Sequence, residues 1–543
     1  LAQNHLHYGD NLKVLREHVA DASVDLIYLD PPFNSNRAYN VLFNRDGHAD
    51  AAQMQAFDDT WHWTTETESQ YGECINGGVP YDVADALGAF RTLLGENDAM
   101  AYLVNMAPRL VELRRVLKAS GSLYLHCDPT MSHYLKVMLD AIFGPQNFRN
   151  EVVWQRTTSK GAASRRLPSN HDVLLAYQRS GQATWNNDSA FIAYDEADLD
   201  EKTAGKYNKR ESDGRLYRLS ALEGPSDPRP NLTYEVMGVT RRWRWSKERM
   251  QQAIRDGIVV QTKPGTVPQM KRYLDEMKGK PLGDVWADIF PLNSQAVERL
   301  GYPTQKPVAL VERVIALASG PDDVVLDPFC GCGTTIDAAV RQERRWIGID
   351  VTYIAVDLIR KRLLDSYGPS IAATYDVTGI PQDLLGAHAL ADHSKFEFER
   401  WAVSLVDGTP NERQVGDKGF DGLIRFHHSS GKGPADGKIL VSVKGGKQLN
   451  PSMVQALDGA LTTHKAHMGV FVSLNPVTRG MREIADRGGN YTWPSNGQHF
   501  PRIQILTVPE LFQGKKVQSP PRLLPYISAV RQTPTVDQVA LDI

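Results

Sequence analysis

The chain has 543 residues, 41% hydrophobic and 23% charged, with a formal net charge of −3. That length exceeds one ordinary core, so two to four globular domains are expected, and the slightly acidic balance means that any nucleic-acid contact must come from local basic patches. No apolar run reaches the length of a membrane span and no leader of the secretory kind opens the chain, whose start at Leu1 without Met reads as trimmed; four cysteines argue against a disulfide framework and fit a reducing cytoplasm.

His7-Tyr8-Gly9-Asp10-Asn11-Leu12 reads as a short strand and turn, followed by a helix over 13–19 and a buried strand over 23–29. That strand runs into Asp30-Pro31-Pro32-Phe33. Residues 46–85 are acidic, contain Trp61-His62-Trp63, and read as an insertion or lid outside the core. Met100, Leu103, Met106, Leu110, Leu113 and Leu117 recur at three- and four-residue steps and predict a helix over 99–117. A turn into a strand follows over 121–126, then a helix over 130–143 that stops at Gly144-Pro145.

From 157 to about 288 the periodicity weakens. Between residues 202 and 255 there are 13 Lys or Arg against 6 Asp or Glu, and Arg241-Arg242-Trp243-Arg244-Trp245 lies inside that stretch. Pro303-Thr304-Gln305-Lys306-Pro307 then leads into a helix over 308–317. A strand over 324–326, the loop Asp327-Pro328-Phe329-Cys330-Gly331-Cys332-Gly333-Thr334-Thr335, a helix over 335–341, a strand over 346–349 and Asp350 follow. This alternation predicts an α/β parallel sheet. The expected plan is two halves of one domain, 1–156 and 291–378, around a region 157–290. A linker at 379–395, a second α/β domain at 396–514 and an extended tail at 515–543 complete it.

A strand that ends in Asp327 and turns through Gly331 and Gly333 into a helix allows close approach of a ligand to the backbone. It presents the free N–H groups of the helix start, at Thr334 and Thr335, and Asp350 after the next strand can accept from a ribose. A dinucleotide would suit such a loop too, but the spacing is not Gly-x-Gly-x-x-Gly. Cys330 and Cys332 lack two further nearby ligands, so small side chains in a crowded loop explain them better than zinc does. Asp30-Pro31-Pro32-Phe33 suits an exocyclic base amine, whose lone pair is delocalised into the ring. The Asp30 carboxylate and the Pro31 carbonyl can accept its two N–H bonds, with Pro32 stiffening that carbonyl. Phe33 can stack on a base drawn out of a duplex.

Together, the Asp30 motif first and the Asp327 motif second, these stretches resemble the DNA amino-methyltransferases of the circularly permuted β class, over about residues 6–365. The resemblance implies a Rossmann-like sheet binding S-adenosylmethionine, with Asp327, Pro328, Phe329, Gly331, Gly333, Thr334 and Asp350 at the cofactor. Thr304 and Lys306 match the segment that wraps its methionine end, and Asp10 lies near its adenine. Phe57-Asp58-Asp59-Thr60-Trp61 is a further family stretch without assigned chemistry. In the family, Asp at the first motif position usually accompanies adenine N6, and cytosine N4 is the alternative. An RNA substrate and a non-catalytic binder are further alternatives. Region 157–290 is where the class carries target recognition, so Arg241, Arg242 and Arg244 are candidates for DNA contacts, whereas Trp243 and Trp245 read better as core. The implied setting is a prokaryotic or phage cytoplasm, with double-stranded DNA as partner, and a homodimer or a separate restriction subunit as further partners.

Gly416-Asp417-Lys418-Gly419-Phe420-Asp421-Gly422 followed by Val441-Ser442-Val443-Lys444 resembles an Mrr-type restriction-endonuclease fold. There an Asp and an acidic neighbour hold a divalent metal beside a Lys. Asp421 and Lys444 match, and Ser442 stands where a second metal ligand belongs. Glu399 or Glu397 is expected to compensate. Two alternatives stay open: a bifunctional enzyme with Mg2+ at Asp421, and a methyltransferase with a nuclease-derived module.

Overall fold

The computed structural model describes residues 4–32, 38–45, 48–58, 61–158, 167–224, 230–293, 296–300, 302, 304–381, 383–411, 419–428 and 436–523. By compactness the chain divides into Leu1–Trp185 with Asp284–Ile543, and Asn186–Gly283.

The larger unit begins with β1 (Asn4–Tyr8), α1 (Asn11–His18) and β2 (Val24–Leu29). A two-stranded ribbon, Ala38–Arg45 with His48–Asp58, precedes α2 (Thr65–Glu73), α3 (Tyr81–Leu94) and α4 (Asp98–Val116). Then come β3 (Leu117–Cys127), α5 (Ser132–Phe143), β4 (Phe148–Gln155) and β5 (His171–Gln178). After the smaller unit follow β6 (Val285–Trp286), α6 (Val308–Ala318), β7 (Val324–Asp327), α7 (Thr334–Arg341), β8 (Arg345–Asp350), α8 (Tyr353–Tyr367) and β9 (Tyr375–Thr378).

These nine strands form one sheet in the order β6-β4-β5-β3-β2-β7-β8-β1-β9. β5 runs against both its neighbours, and the other pairs are parallel. The two halves are joined at the centre, where Leu26 and Ile27 of β2 pair with Val325 and Leu326 of β7. All six residues of β2 are buried, as expected of a central strand covered on both faces. Its one charge, Asp25, is satisfied by the Lys118 ammonium at 2.7 Å and by the Val324 N–H at 3.0 Å.

The fold corrects two expectations. β5 belongs to the main sheet, inside the stretch expected to be recognition region, and seven of its eight residues are buried. Residues 61–85 are not a lid outside the core: Tyr71, Cys74, Val79 and Val83 pack into the same cluster as Leu103 and Leu110 of α4. The short helix expected in the linker is α9 (Leu384–His393), and its Ala387 is fully buried.

In the C-terminal part, α10 (Lys395–Ser404) precedes β10 (Gly422–His427), β11 (Asp436–Lys444), β12 (Met468–Ser473) and β13 (Ile503–Thr507). β10 and β11 are antiparallel, and β11, β12 and β13 are parallel. Arg522–Leu523, in the expected tail, adds a short antiparallel strand to β10. The smaller unit holds a four-stranded antiparallel sheet and a hairpin, Thr233–Val236 with Val239–Arg242, over a core that contains Trp243. No helix among the described residues is long and apolar enough to cross a membrane.

Candidate active site

Parallel pairing puts the C-terminal ends of β1, β2, β7 and β8 on one edge of the sheet, the edge where open α/β sheets bind ligands. Asp10, Asp30, Asp327 and Asp350 therefore converge from distant stretches. All four line one cavity of about 250 Å3, together with Tyr28, Trp61, Tyr302, Thr304 and Lys306. The first turn is tied to the second motif: Asn11 Nδ2 donates to the Pro328 carbonyl at 2.9 Å, and Arg109 Nε donates to Asn11 Oδ1 at 2.6 Å. Asp10 caps α1 through the Lys13 N–H and pairs with Arg109 at 2.5 Å. Asn11 belongs to the Gly9-Asp10-Asn11-Leu12 stretch that matches the family, whereas Arg109 lies in no motif and only the fold brings it in.

Asp30 follows β2 directly. Pro31 and Pro32 have no N–H, so neither can extend the ladder and the chain leaves the sheet at this edge. Asp30 Oδ2 meets Lys306 Nζ at 2.5 Å, with both side chains more than four-fifths buried. Lys306, expected at the cofactor, thus also touches the first motif. Its segment is held by Gln305, which accepts from the Leu300 N–H at 2.8 Å and donates to the Glu298 carbonyl at 2.6 Å. Pro31 is buried and Pro32 lines the cavity. Phe33 lies outside the described residues.

Asp327 is 3% exposed. Its carboxylate accepts from the Phe329 N–H at 3.0 Å and the Thr335 hydroxyl at 2.5 Å. Burial dominates, with Asp30 and Asp350 acting in the same direction, and pushes this carboxyl up to about 7. Asp350 accepts from the Gly331 N–H at 2.9 Å, and from the Thr352 N–H and hydroxyl at 2.8 Å each. Its carboxyl too is raised by burial. So Asp350 holds the loop's shape besides facing the cavity. Gly331 and Gly333 have φ of +47° and +76°, in the left-handed region. A Cβ on Gly331 would lie 3.4 Å from the Tyr302 ring, and one on Gly333 only 2.8 Å from Ile359 Cγ1. Cys330 and Cys332 are buried and their thiols raised by that burial. No cluster of three or more potential metal-binding side chains occurs among the described residues.

A family model described as DNA methylase matches residues 24–361, more than half of the chain. The chain belongs to this DNA methylase family. It is 26% identical over 371 residues to the type II methyltransferase M.EcaI of Enterobacter cloacae, a match that covers 67% of this chain and 70% of that one. It is 28% identical over 347 residues to the Mod subunit of the type III restriction-modification enzyme StyLTI of Salmonella typhimurium, covering 61% of this chain and 49% of that one. Against that second relative, this DNA methylase spans about half the length. A solved DNA modification methylase from Thermus thermophilus aligns at 17% identity and a TM-score of 0.31, over 69% of this chain and 99% of that one.

In the smaller unit of this methylase, Trp243 is fully buried and donates to the Tyr234 carbonyl at 2.8 Å, so it is core. Arg241 stands 3.5 Å from Glu223, and Arg244 donates to the Glu223 carbonyl at 2.9 Å. Arg242 ends the hairpin strand between them.

A second model, described as NACHT-associated inactive Restriction Endonuclease 1, matches residues 396–513. There Asp421 accepts from the Val443 N–H at 2.6 Å and lies 3.6 Å from Lys444 Nζ. Glu399 shares the site: burial, then the Asp421 charge, raises its carboxyl. Glu397 points elsewhere and accepts from the Tyr8 hydroxyl at 2.7 Å. Ser442 is buried in β11 and brings no charge. Asp421, Glu399 and Lys444 thus keep the acid–acid–lysine composition that the resemblance asks for, while Ser442 brings no charge. The matching family is an inactive one, and that match goes against the bifunctional alternative.

Proposed function

We propose that this methylase transfers a methyl group from S-adenosylmethionine to the N6 amine of adenine in double-stranded DNA, within a restriction–modification or phage-defence system. One observation carries the reading: Asp30 opens onto the same cavity as the Asp327–Asp350 loop, so a group for the acceptor amine and a loop for the donor share one space. The lining also favours this cofactor over a dinucleotide. Lys306 and Arg109 already pair with Asp30 and Asp10, so the described lining offers little positive charge to a pyrophosphate, while its surplus of carboxyls suits a sulfonium and an ammonium.

The bound cofactor supplies a methyl group made electrophilic by its sulfonium. The remaining work falls to the chain. Asp30 and the Pro31 carbonyl accept the two amine N–H bonds and draw the nitrogen towards a tetrahedral shape. Lys306 holds the Asp30 carboxylate in place from its other side. Gly331 and Gly333 let the backbone close on the cofactor, and Asp10 and Asp350 supply carboxylates along it. An Asp at the head of the first motif favours adenine through the family resemblance. Arg241, Arg242 and Arg244 are proposed to contact the DNA backbone or guanine edges.

The test is methylation of duplex DNA of known sequence, followed by nucleoside mass analysis. N6-methyladenine at defined sites is expected. N4-methylcytosine would overturn the adenine assignment alone, and transfer to RNA but not to DNA would overturn the substrate.

A further inference from the structure

Beside Asp30 lies a chain of buried polar groups with no part in the reaction described so far. The Tyr28 hydroxyl is 2.8 Å from His126 Nδ1, and His126 Nε2 is 3.3 Å from Asp172 Oδ2. Tyr28 lies on β2, His126 on β3 and Asp172 on β5, so three adjacent or near-adjacent strands contribute one residue each. Their exposures are 2%, 0% and 2%. The Trp154 ring stands edge-on to His126, with centroids 5.8 Å apart. A histidine and an aspartate buried this deeply are costly unless they are paired and used.

The order of donors follows from the partners. Asp172 can only accept, since it is held below the usual carboxylate range. Burial opposes that, but the His126 hydrogen bond, with Lys306 and Arg156, outweighs it. His126 Nε2 therefore donates, and Nδ1 accepts the Tyr28 proton. Burial keeps the Tyr28 hydroxyl protonated, and Asp30, Asp327 and Asp172 act in the same direction. Tyr28 itself lines the cavity.

We propose that Tyr28, His126 and Asp172 form the proton relay of methyl transfer, taking up the proton that the acceptor amine must lose. The inference rests on the reading of this cavity as the methyl-transfer site. Once the amine nitrogen has taken the methyl group, with the C–S electron pair left on sulfur, it carries one proton too many. That N–H bond breaks towards Tyr28 Oη while the Tyr28 proton passes to His126 Nδ1. The positive charge comes to rest on His126 beside anionic Asp172, as an imidazolium does beside a buried aspartate in hydrolases. After the methylated base has left, the proton passes back through Tyr28 to water in the cavity, which restores the neutral relay. The charged and titratable groups that face this chain are Asp30 next to Tyr28, Asp327 at the end of β7, Asp128 beyond β3, Arg156 beyond β4, and Lys306.

The test uses the full chain with Tyr28→Phe, His126→Gln and Asp172→Asn. Thermal melts and calorimetric binding of S-adenosylmethionine confirm that each variant is folded and loaded. The expected result is a fall in kcat of roughly 10²-fold at unchanged KM for DNA, with loss of the acid limb of the pH–rate profile. Tyr28→Phe combined with His126→Gln should cost little more than either alone. Independently of turnover, 15N NMR of the resting protein should find a His126 proton on Nε2, with Nδ1 accepting from Tyr28. Folded, loaded variants with parental kcat and pH profile would overturn the relay, as would a His126 proton on Nδ1. A parent that methylates no DNA would overturn the functional reading and the relay with it. An active parent with active variants overturns the relay alone. If all three variants fail to fold, the NMR tautomer decides.

Discussion

Asp30 and Asp327 close adjacent parallel strands, yet their surroundings give them different chemistry. Asp30 faces an ammonium and the cavity, so it stands ready to accept from an incoming amine. Its replacement by Ala should lower methyl transfer by at least about 10²-fold, the scale of removing one oriented electrostatic group. Calorimetric affinity for S-adenosylmethionine should stay near the parent's, and near-normal turnover would sink the assignment. Asp327 is enclosed, and its carboxyl rises from 3.8 to about 7. The folded protein thus keeps a proton that the unfolded chain gives up. The stability this contributes is fully present below about pH 4 and is lost as pH rises through 7. Asn at this position is neutral throughout and lacks that slope. Between pH 5 and pH 8, the unfolding free energy of Asp327→Asn relative to the parent should improve by on the order of 2 kcal/mol. A difference that does not change with pH in denaturant melts would contradict this account.

At the scale of elements, the β7–α7 turn concentrates the demands of the site. Gly333 caps α7 in the left-handed region, with Ile359 where a Cβ would go. Gly333→Ala should cost about 1–3 kcal/mol in thermal or denaturant melts and weaken cofactor binding. Gly331→Ala, whose Cβ would only touch Tyr302, should cost less. Equal costs would mean that packing against Ile359 is not the cause. This turn was legible in the sequence, as were β2, β8, α4 and α6. Each is a run with a clear period, bounded by a motif or by Gly or Pro. β5 was not legible. His171-Asp172-Val173-Leu174-Leu175-Ala176-Tyr177-Gln178 is a short apolar run that periodicity alone cannot assign, and its place against β3 and β4 depends on pairing. The same limit applies within the site. The four aspartates and Asn11 announce themselves by motif, but Arg109, Tyr28, His126 and Asp172 have no telling spacing, because each gains its partner from another strand or helix. Residues 61–85 misled for a different reason. Their acidic surface masks a helical stripe, and only the buried faces of α2 and α3 reveal the core.

At the scale of the whole molecule, the question is what a part that matches an inactive nuclease family contributes to a methylase. One contact is explicit. The Tyr8 hydroxyl, at the end of β1, donates to Glu397 of α10 at 2.7 Å. Tyr8 is register partner to Asp350, and the Gly9 N–H donates to the Asp350 carbonyl at 2.9 Å. The C-terminal part is therefore anchored one residue pair away from the cofactor loop. This geometry predicts that it supports that edge and that its own acid–lysine site takes no part in methylation. The two halves of this statement separate experimentally. Tyr8→Phe and Glu397→Gln should each lower stability, and their double-mutant cycle should give a coupling of about 1–2 kcal/mol, the range for a hydrogen bond to a charged group. Lys444→Met removes the ammonium beside Asp421 and should leave methyl transfer within about twofold of the parent, because changes at separate, unconnected sites rarely couple. Additive single substitutions would show that Tyr8 and Glu397 do not hold the parts together. A large loss of transfer in Lys444→Met would show that the nuclease-like site takes part in methylation after all.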